Sequence, residues 1–257
     1  MNRQAQAAVL FLLGAALLHA GFTDLYLRYV KAGLQPLLLA SGVVLIAAAV
    51  ATAWYEWRQT KEEKAAHADK TAQAEKAAHA DAEHGHQHRE PRVSWLLVLP
   101  LFALILVAPP ALGSYSATRT GTALQEPLAY PALPASAGPL RLAVADYAGR
   151  AAYDHGRSLA GRRIELTGFV ALDRAGTPYL VRMALNCCAA DAQPVKVGLT
   201  GRIPPVLQPD TWLTVTGTYT ARQTRDPVNN GRIPFIEVTA AEPVPVPHDP
   251  YDETWNN

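Results

Sequence analysis

The chain has few cysteines, almost no net charge and no long apolar run beyond residue 114, and each shortage narrows what it can do. With 23 Lys and Arg against 22 Asp and Glu in 257 residues, the formal net charge is +1. Phosphate neutralisation dominates nucleic-acid affinity, so a near-neutral chain without a basic, aromatic-interleaved groove is not expected to bind nucleic acid. Gly-x-Ser-x-Gly, His-Glu-x-x-His and a phosphate-binding glycine loop are all missing. A conventional enzyme is therefore not expected. The two cysteines, Cys187 and Cys188, are adjacent rather than separated by two residues, and no helix start precedes them. That departs from the usual thiol-disulfide oxidoreductase arrangement.

What is present divides the chain in two. Residues 5–22, 33–54 and 95–113 are each close to the length that crosses about 30 Å of hydrocarbon as a helix, so three N-terminal spans are expected. Arg3 before the first of them would suit a signal peptide, but Leu18-His19-Ala20 is a poor small-x-small cleavage site. His19, near the end of that span, is either an intramembrane functional residue or a hydrated interfacial one. Arg58, Lys61, Lys64, Lys70, Lys76, Arg89 and Arg92 lie between the second and third spans, against Arg28 and Lys31 between the first and second. The positive-inside rule then places the N-terminus and the loop 56–92 in the cytoplasm, and the 26–31 loop and everything after residue 113 outside. Trp54, Tyr55, Trp57 and Trp95 fall where an aromatic belt would put them.

The cytoplasmic loop repeats Lys64-Ala-Ala-His-Ala-Asp69 as Lys76-Ala-Ala-His-Ala-Asp81 and continues into His84-Gly-His-Gln-His88. Its composition favours helix over about residues 56–83. Closely spaced neutral imidazoles bind Zn, Cu or Ni, so His84, His86 and His88 are candidate metal ligands, with His67 and His79 nearby. A solvated low-complexity linker is the competing reading.

Residues 114–140, rich in Pro, Ala, Gly and Ser, read as an extended tether leaving the 1–113 membrane region. A helix is expected over 142–159, then strands over 163–172, 178–185, 193–199, 211–221 and 233–240, with Gly168 marking a bulge. Five short strands and one helix in 141–244 fit a small Greek-key barrel of the OB type, followed by a Pro-rich tail, 245–257.

Adjacent Cα atoms lie about 3.8 Å apart, whereas disulfides prefer roughly 4.4–6.8 Å, so a Cys187–Cys188 bond would be strained and easily reduced. Kept reduced, the pair offers two thiolates to a soft metal such as Zn or Cu(I), or is two inert apolar side chains. Neighbours on a regular strand point to opposite faces, so both thiols serve one site only at a strand end or turn. Ala189-Ala190-Asp191-Ala192, without β-branched residues and close to Pro194, suits such a turn, and Asp191 adds a hard ligand. Two sulfurs and a carboxylate fall short of the four ligands of a structural zinc site; His155, His248, a water or a partner protein could supply the rest. Arg182 is a ligand-binding candidate, able to lower a thiol pKa if its guanidinium reaches the pair.

With 29–36 between the first spans, Gly161-Arg-Arg-Ile-Glu-Leu-Thr-Gly-Phe-Val170, Arg182, Cys187-Cys-Ala-Ala-Asp-Ala192 and Trp212-Leu-Thr-Val-Thr-Gly-Thr-Tyr219, the chain resembles the YcgQ-like family of bacterial membrane proteins. The resemblance implies a permease subunit of the cell membrane, with a multi-spanning YcgR-like permease as partner and a link to zinc. The leading expectation is an accessory transport subunit whose Cys187, Cys188 and Asp191 form an open, exchangeable site. A strained-disulfide redox protein and a purely structural docking partner are the alternatives.

Overall fold

The computed structural model describes residues 3–74, 110–126, 129–135 and 138–253. His84, His86 and His88 lie outside the described residues, as does most of the expected third span. The chain forms two compact units, Met1–Thr23 with Gln35–Pro109, and Asp24–Leu34 with Pro110–Asn257.

The first unit holds two helices, α1 (Arg3–Phe22) and α2 (Gln35–Ala74), both long and apolar enough to cross a membrane by length and composition. They pack through glycine: a Cβ on Gly14 would sit 2.8 Å from the Gly42 carbonyl oxygen, so only glycine lets the backbones meet there. At 40 residues, α2 runs about 60 Å, roughly twice the hydrocarbon thickness. The second expected span and the start of the expected cytoplasmic helix are thus one continuous helix. Arg58 lies 3.9 Å over the Trp54 ring and Lys61 3.8 Å over Trp57, i,i+4 pairs where apolar sequence gives way to charge.

The second unit is mainly β. Its strands are β1 (Leu140–Arg141), β2 (Ile164–Leu172), β3 (Pro178–Leu185), β4 (Gln193–Gly201), β5 (Trp212–Arg225), β6 (Arg232–Pro243) and β7 (Tyr251–Glu253). The order β1-β2-β5-β6-β4-β3-β7, with β2 also pairing β3, closes β2 to β6 into a five-stranded barrel. All its pairings are antiparallel except β4 with β6. The expected strands are thus present, β5 and β6 running longer.

β2 closes the barrel by switching neighbours: Ile164 to Phe169 pair with β5, and Phe169 to Leu172 with β3. Gly168 sits at the switch, where a Cβ would lie 2.7 Å from the Val181 carbonyl oxygen. Its role is close approach of backbones rather than the expected bulge. The irregular registers fall instead between β5 and β6, at Thr216/Gly217 and Tyr219/Gln223.

Inside the barrel, Leu166, Val170, Leu180, Val197, Leu213 and Val215 form the core with α4 (Val144–Ala152). Val144, Tyr147, Ala148 and Ala151 present one buried stripe at helical spacing, and the Tyr147 hydroxyl donates to the Phe235 carbonyl at 2.7 Å. The helix ends at Ala152, earlier than expected, because Asp154 starts a turn that receives the Ser158 amide and hydroxyl and the Arg157 guanidinium. His155 (φ 52) and Gly156 (φ 69) then leave helical space.

The outer faces of β2 and β3 are also apolar, so they need a cover. Phe169, Val181, Met183, Leu185 and Trp212 form a second cluster with Ala117 of α3 (Ser114–Arg119) and Tyr251 of β7. Phe169 and Trp212 meet edge to face, centroids 5.7 Å apart at 64°. That geometry adds roughly 1 kcal/mol to the burial of the rings. Described parts of the segments expected as tether and tail pack into this unit. Ala117 is fully buried, and Met183 to Leu185 pair in parallel with Tyr251 to Glu253.

Candidate functional site

β3 ends at Leu185, and Asn186 to Ala192 carry the chain over to β4. Cys188 is extended (φ −154°, ψ 169°), Ala189–Asp191 form one turn of 3-10 helix, and Ala192 returns to extended backbone. The cysteines thus lie on a turn, as their neighbours suggested, and need not point to opposite faces. The ligand atoms of Cys187, Cys188 and Asp191 all lie within 4.8 Å of one another, with Cys187 exposed and the other two half-buried. Both cysteines are free thiols.

The turn is tied by Asp191. Its Oδ1 accepts the Asn186 amide at 3.0 Å, and its Oδ2 accepts the Cys187 amide at 2.8 Å and the Cys188 amide at 3.4 Å. Burial pushes the Asp191 carboxyl up, but the Cys187 thiol and these amides outweigh it and hold the pKa below the usual value. The same contact acts oppositely on the thiol. The Asp191 carboxylate, then Cys188, push Cys187 up to about 12.

These donors fit a soft divalent cation in type, two sulfurs and one oxygen, with a position left open. Bonds of about 2.3 Å to sulfur and 2.0 Å to oxygen hold tetrahedral ligands roughly 3.5 to 3.8 Å apart, so the group must contract by up to about an ångström. Asp191 would serve as a monodentate ligand, because three amides already occupy most of its lone pairs.

Arg182 does not turn to the thiols. Its Nε donates to Asp252 at 3.0 Å, its Nη2 to the carbonyls of Asp249 and Tyr251, and its guanidinium lies 5.1 Å over the Trp212 ring. The expected depression of a thiol pKa is not seen; the shift at Cys187 is upward. Arg182 instead clamps the C-terminal strand to the barrel. Burial pushes Asp252 above its usual value, while Arg182 and the amides of Ala145 and Val144 pull it down. Among the described residues no histidine joins the cysteine group. His155 is exposed in the turn after α4, and His248 pairs with Asp24 at 3.0 Å.

A strap that the sequence does not announce meets the cysteine turn. Asp24–Leu34, which links α1 to α2, belongs to the β-rich unit and lies along the cysteine turn. Val30 and Cys188 form an antiparallel bridge, the Ala189 amide donates to the Tyr29 carbonyl at 2.7 Å, and the Lys31 amide donates to the Cys187 carbonyl at 3.1 Å. The Tyr251 hydroxyl donates to the Arg28 carbonyl at 3.0 Å and accepts the Leu112 amide at 3.0 Å. The cysteine backbone is therefore held by the strap, and the strap in turn by Tyr251. Nothing in the composition of the strap announces this, because the contacts are almost all main-chain.

Residues 139–252 match the family model described as the DUF1980 C-terminal domain, a description that carries no activity. The matched part includes the barrel and the cysteine turn. No curated protein and no solved structure matches the chain.

Proposed function

We propose that the protein is an accessory subunit of a membrane permease system, and that Cys187, Cys188 and Asp191 take up and release a soft divalent cation, zinc being the one that best fits two sulfurs and one oxygen. The observation that carries this is the convergence of the three donors within 4.8 Å on one short connection. Three ligands leave the exchange position a delivery site needs. Each thiol must lose a proton to bind, so with Cys187 raised to about 12 the apparent affinity should rise about tenfold per pH unit through neutrality from that thiol alone.

Chain parity supports the membrane topology. The strap and the barrel are one unit, so they lie on one side of any membrane that α1 and α2 cross. An external barrel then calls for an odd number of crossings, and the apolar run 95–113 has the length for the third. With the basic loop inside, strap and barrel are external, and the partner is a multi-spanning permease of the YcgR-like kind in a bacterial cell membrane. The closed five-stranded barrel, with α4 packed into its core, supports an OB-type reading of the fold.

A second reading has its own observation: Asp191 is already engaged by three amides, so the turn could be a latch without ligand chemistry, in a subunit that only docks on the permease. Calorimetric zinc titration of the full chain in detergent micelles separates the two. It would use a His84→Ala, His86→Ala, His88→Ala background beside the same background with Cys187→Ser and Cys188→Ser. Micromolar or tighter binding that strengthens with pH and disappears with the serines is expected. Absent or unchanged binding removes the metal role and leaves the docking subunit.

A further inference from the structure

A concavity lies at one end of the barrel, between the β2–β3 and β5–β6 connections, with a volume of about 910 Å³. That is the size of a small-molecule site rather than a packing gap. Three cationic side chains line it: Arg119 from the end of α3, Arg174 from the β2–β3 turn, and Lys196 from β4. Leu172, Val228 and Ile233 supply an apolar wall, and Val228 stays half exposed.

The anions nearby are already committed. Asp173 lines the cavity, but its Oδ1 accepts the Ala175 and Thr177 amides at 2.8 Å and its Oδ2 the Tyr179 hydroxyl at 3.3 Å. Asp226 is fully buried; its Oδ2 accepts Lys196 at 2.7 Å and the Thr122 amide at 3.0 Å, and its Oδ1 accepts the Val228 amide. Lys196, with a side chain only 7% exposed, donates to Asp226 and to the Thr120 carbonyl at 2.9 Å. An ammonium has three N–H donors, so one is left over. Arg119 rests 4.3 Å over the Tyr115 ring, and among the described residues neither Arg119 nor Arg174 forms an ion pair. The cavity therefore has a buried cation with a spare donor, two exposed guanidiniums without a carboxylate partner at its wall, and an apolar side.

We propose that this cavity binds a small organic anion, with a carboxylate or phosphate group held by Lys196, Arg174 and Arg119 and an apolar body against Leu172, Val228 and Ile233. The site is separate from the cysteine turn and stands whether or not that turn binds a metal. Guanidinium supplies the bidentate recognition of such a group, and the buried ammonium fixes its depth.

The test is equilibrium dialysis of the full chain in nanodiscs of zwitterionic lipid, with radiolabelled benzoate and, separately, phenyl phosphate as probes, empty discs being subtracted. Saturable binding of at least one probe is expected, weakened at least about tenfold by Arg174→Glu, as loss of one charge-assisted contact implies. Val228→Asp, which adds an anion at the apolar wall, should weaken it as well. Both positions are exposed, so the fold should tolerate the changes, and Cys187→Ser with Cys188→Ser should leave binding intact. Which probe binds tells carboxylate from phosphate, and displacement by phosphatidylglycerol added to the discs would assign the anion to a lipid headgroup instead of a free solute. Binding of neither probe, or equal binding by wild type, Arg174→Glu and Val228→Asp, overturns the proposal.

Discussion

Removing the Asp191 carboxylate should free the cysteine turn and wake its exposed thiol together. Two of its amide bonds, at 2.8 and 3.0 Å, have good geometry, whereas the third at 3.4 Å is marginal. Charge-assisted bonds contribute about 1.5 to 3 kcal/mol when desolvated; on a partly exposed turn about 2 kcal/mol in total is reasonable for Asp191→Ala. Exchange of the Asn186 and Cys187 amides should then speed up about thirtyfold. The thiol effect follows from the pKa. With Cys187 held at about 12, its thiolate fraction near pH 8 is on the order of 10⁻⁴; an ordinary value near 8.5 would make it about 0.2. Nucleophilicity falls with basicity at a Brønsted slope of about 0.45, which returns roughly a factor of 40. The net gain in labelling by a disulfide reagent is at most about sixtyfold. Comparing Cys188→Ser with Cys188→Ser, Asp191→Ala isolates Cys187, and Asp191→Asn, which keeps an acceptor but loses the charge, separates electrostatics from the latch. Unchanged labelling together with unchanged exchange would refute the reasoning.

The strands were legible because their alternation is strong: Ile164, Leu166 and Val170 face the core, and so do Leu213 and Val215. The turn at the cysteines was legible from the small, unbranched residues after them. Long-range contacts were not. Arg182 lies only a few residues before Cys187 in sequence, yet its carboxylate partner is Asp252, 70 residues on. The outer apolar face of β3 signals that something must cover Val181 and Met183, but not that Tyr251 does so. The strap is harder still, since Tyr29 and Lys31 meet the cysteine turn through carbonyl and amide groups that every residue carries. Periodicity reports which face of an element is buried. It carries no address for the partner.

Three further outcomes are expected. Tyr147→Phe should lower the denaturation midpoint by the equivalent of about 1 to 2 kcal/mol, because it leaves the buried Phe235 carbonyl without its donor; no change would mean the hydrogen bond is not made. Arg182→Met strands a buried carboxylate and should cost about 3 to 5 kcal/mol near neutral pH. Burial already raises Asp252, and losing Arg182 raises it further, so wild type and variant weaken alike just above the unfolded Asp value near 4, and the deficit between them should grow only as pH climbs past the wild-type carboxyl's own raised value and shrink in acid; a pH-independent deficit would contradict this. Ala189→Pro tests the strap. Ala189 opens the 3-10 turn, where proline's fixed φ is tolerated, and Cys188 before it is extended, as a residue preceding proline should be. The substitution therefore removes little besides the 2.7 Å bond from the Ala189 amide to the Tyr29 carbonyl. Exchange at the Lys31 amide, the next rung of the same contact, should rise severalfold while the barrel amides of β2 and β5 keep their protection. Because the strap continues directly into Thr23 on one side and Gln35 on the other, the same variant shows whether the cysteine turn constrains that link. Unaltered exchange at Lys31 would mean that the strap is held by its other contacts, Tyr251 to Arg28 and His248 to Asp24, and that the turn bears on it only weakly.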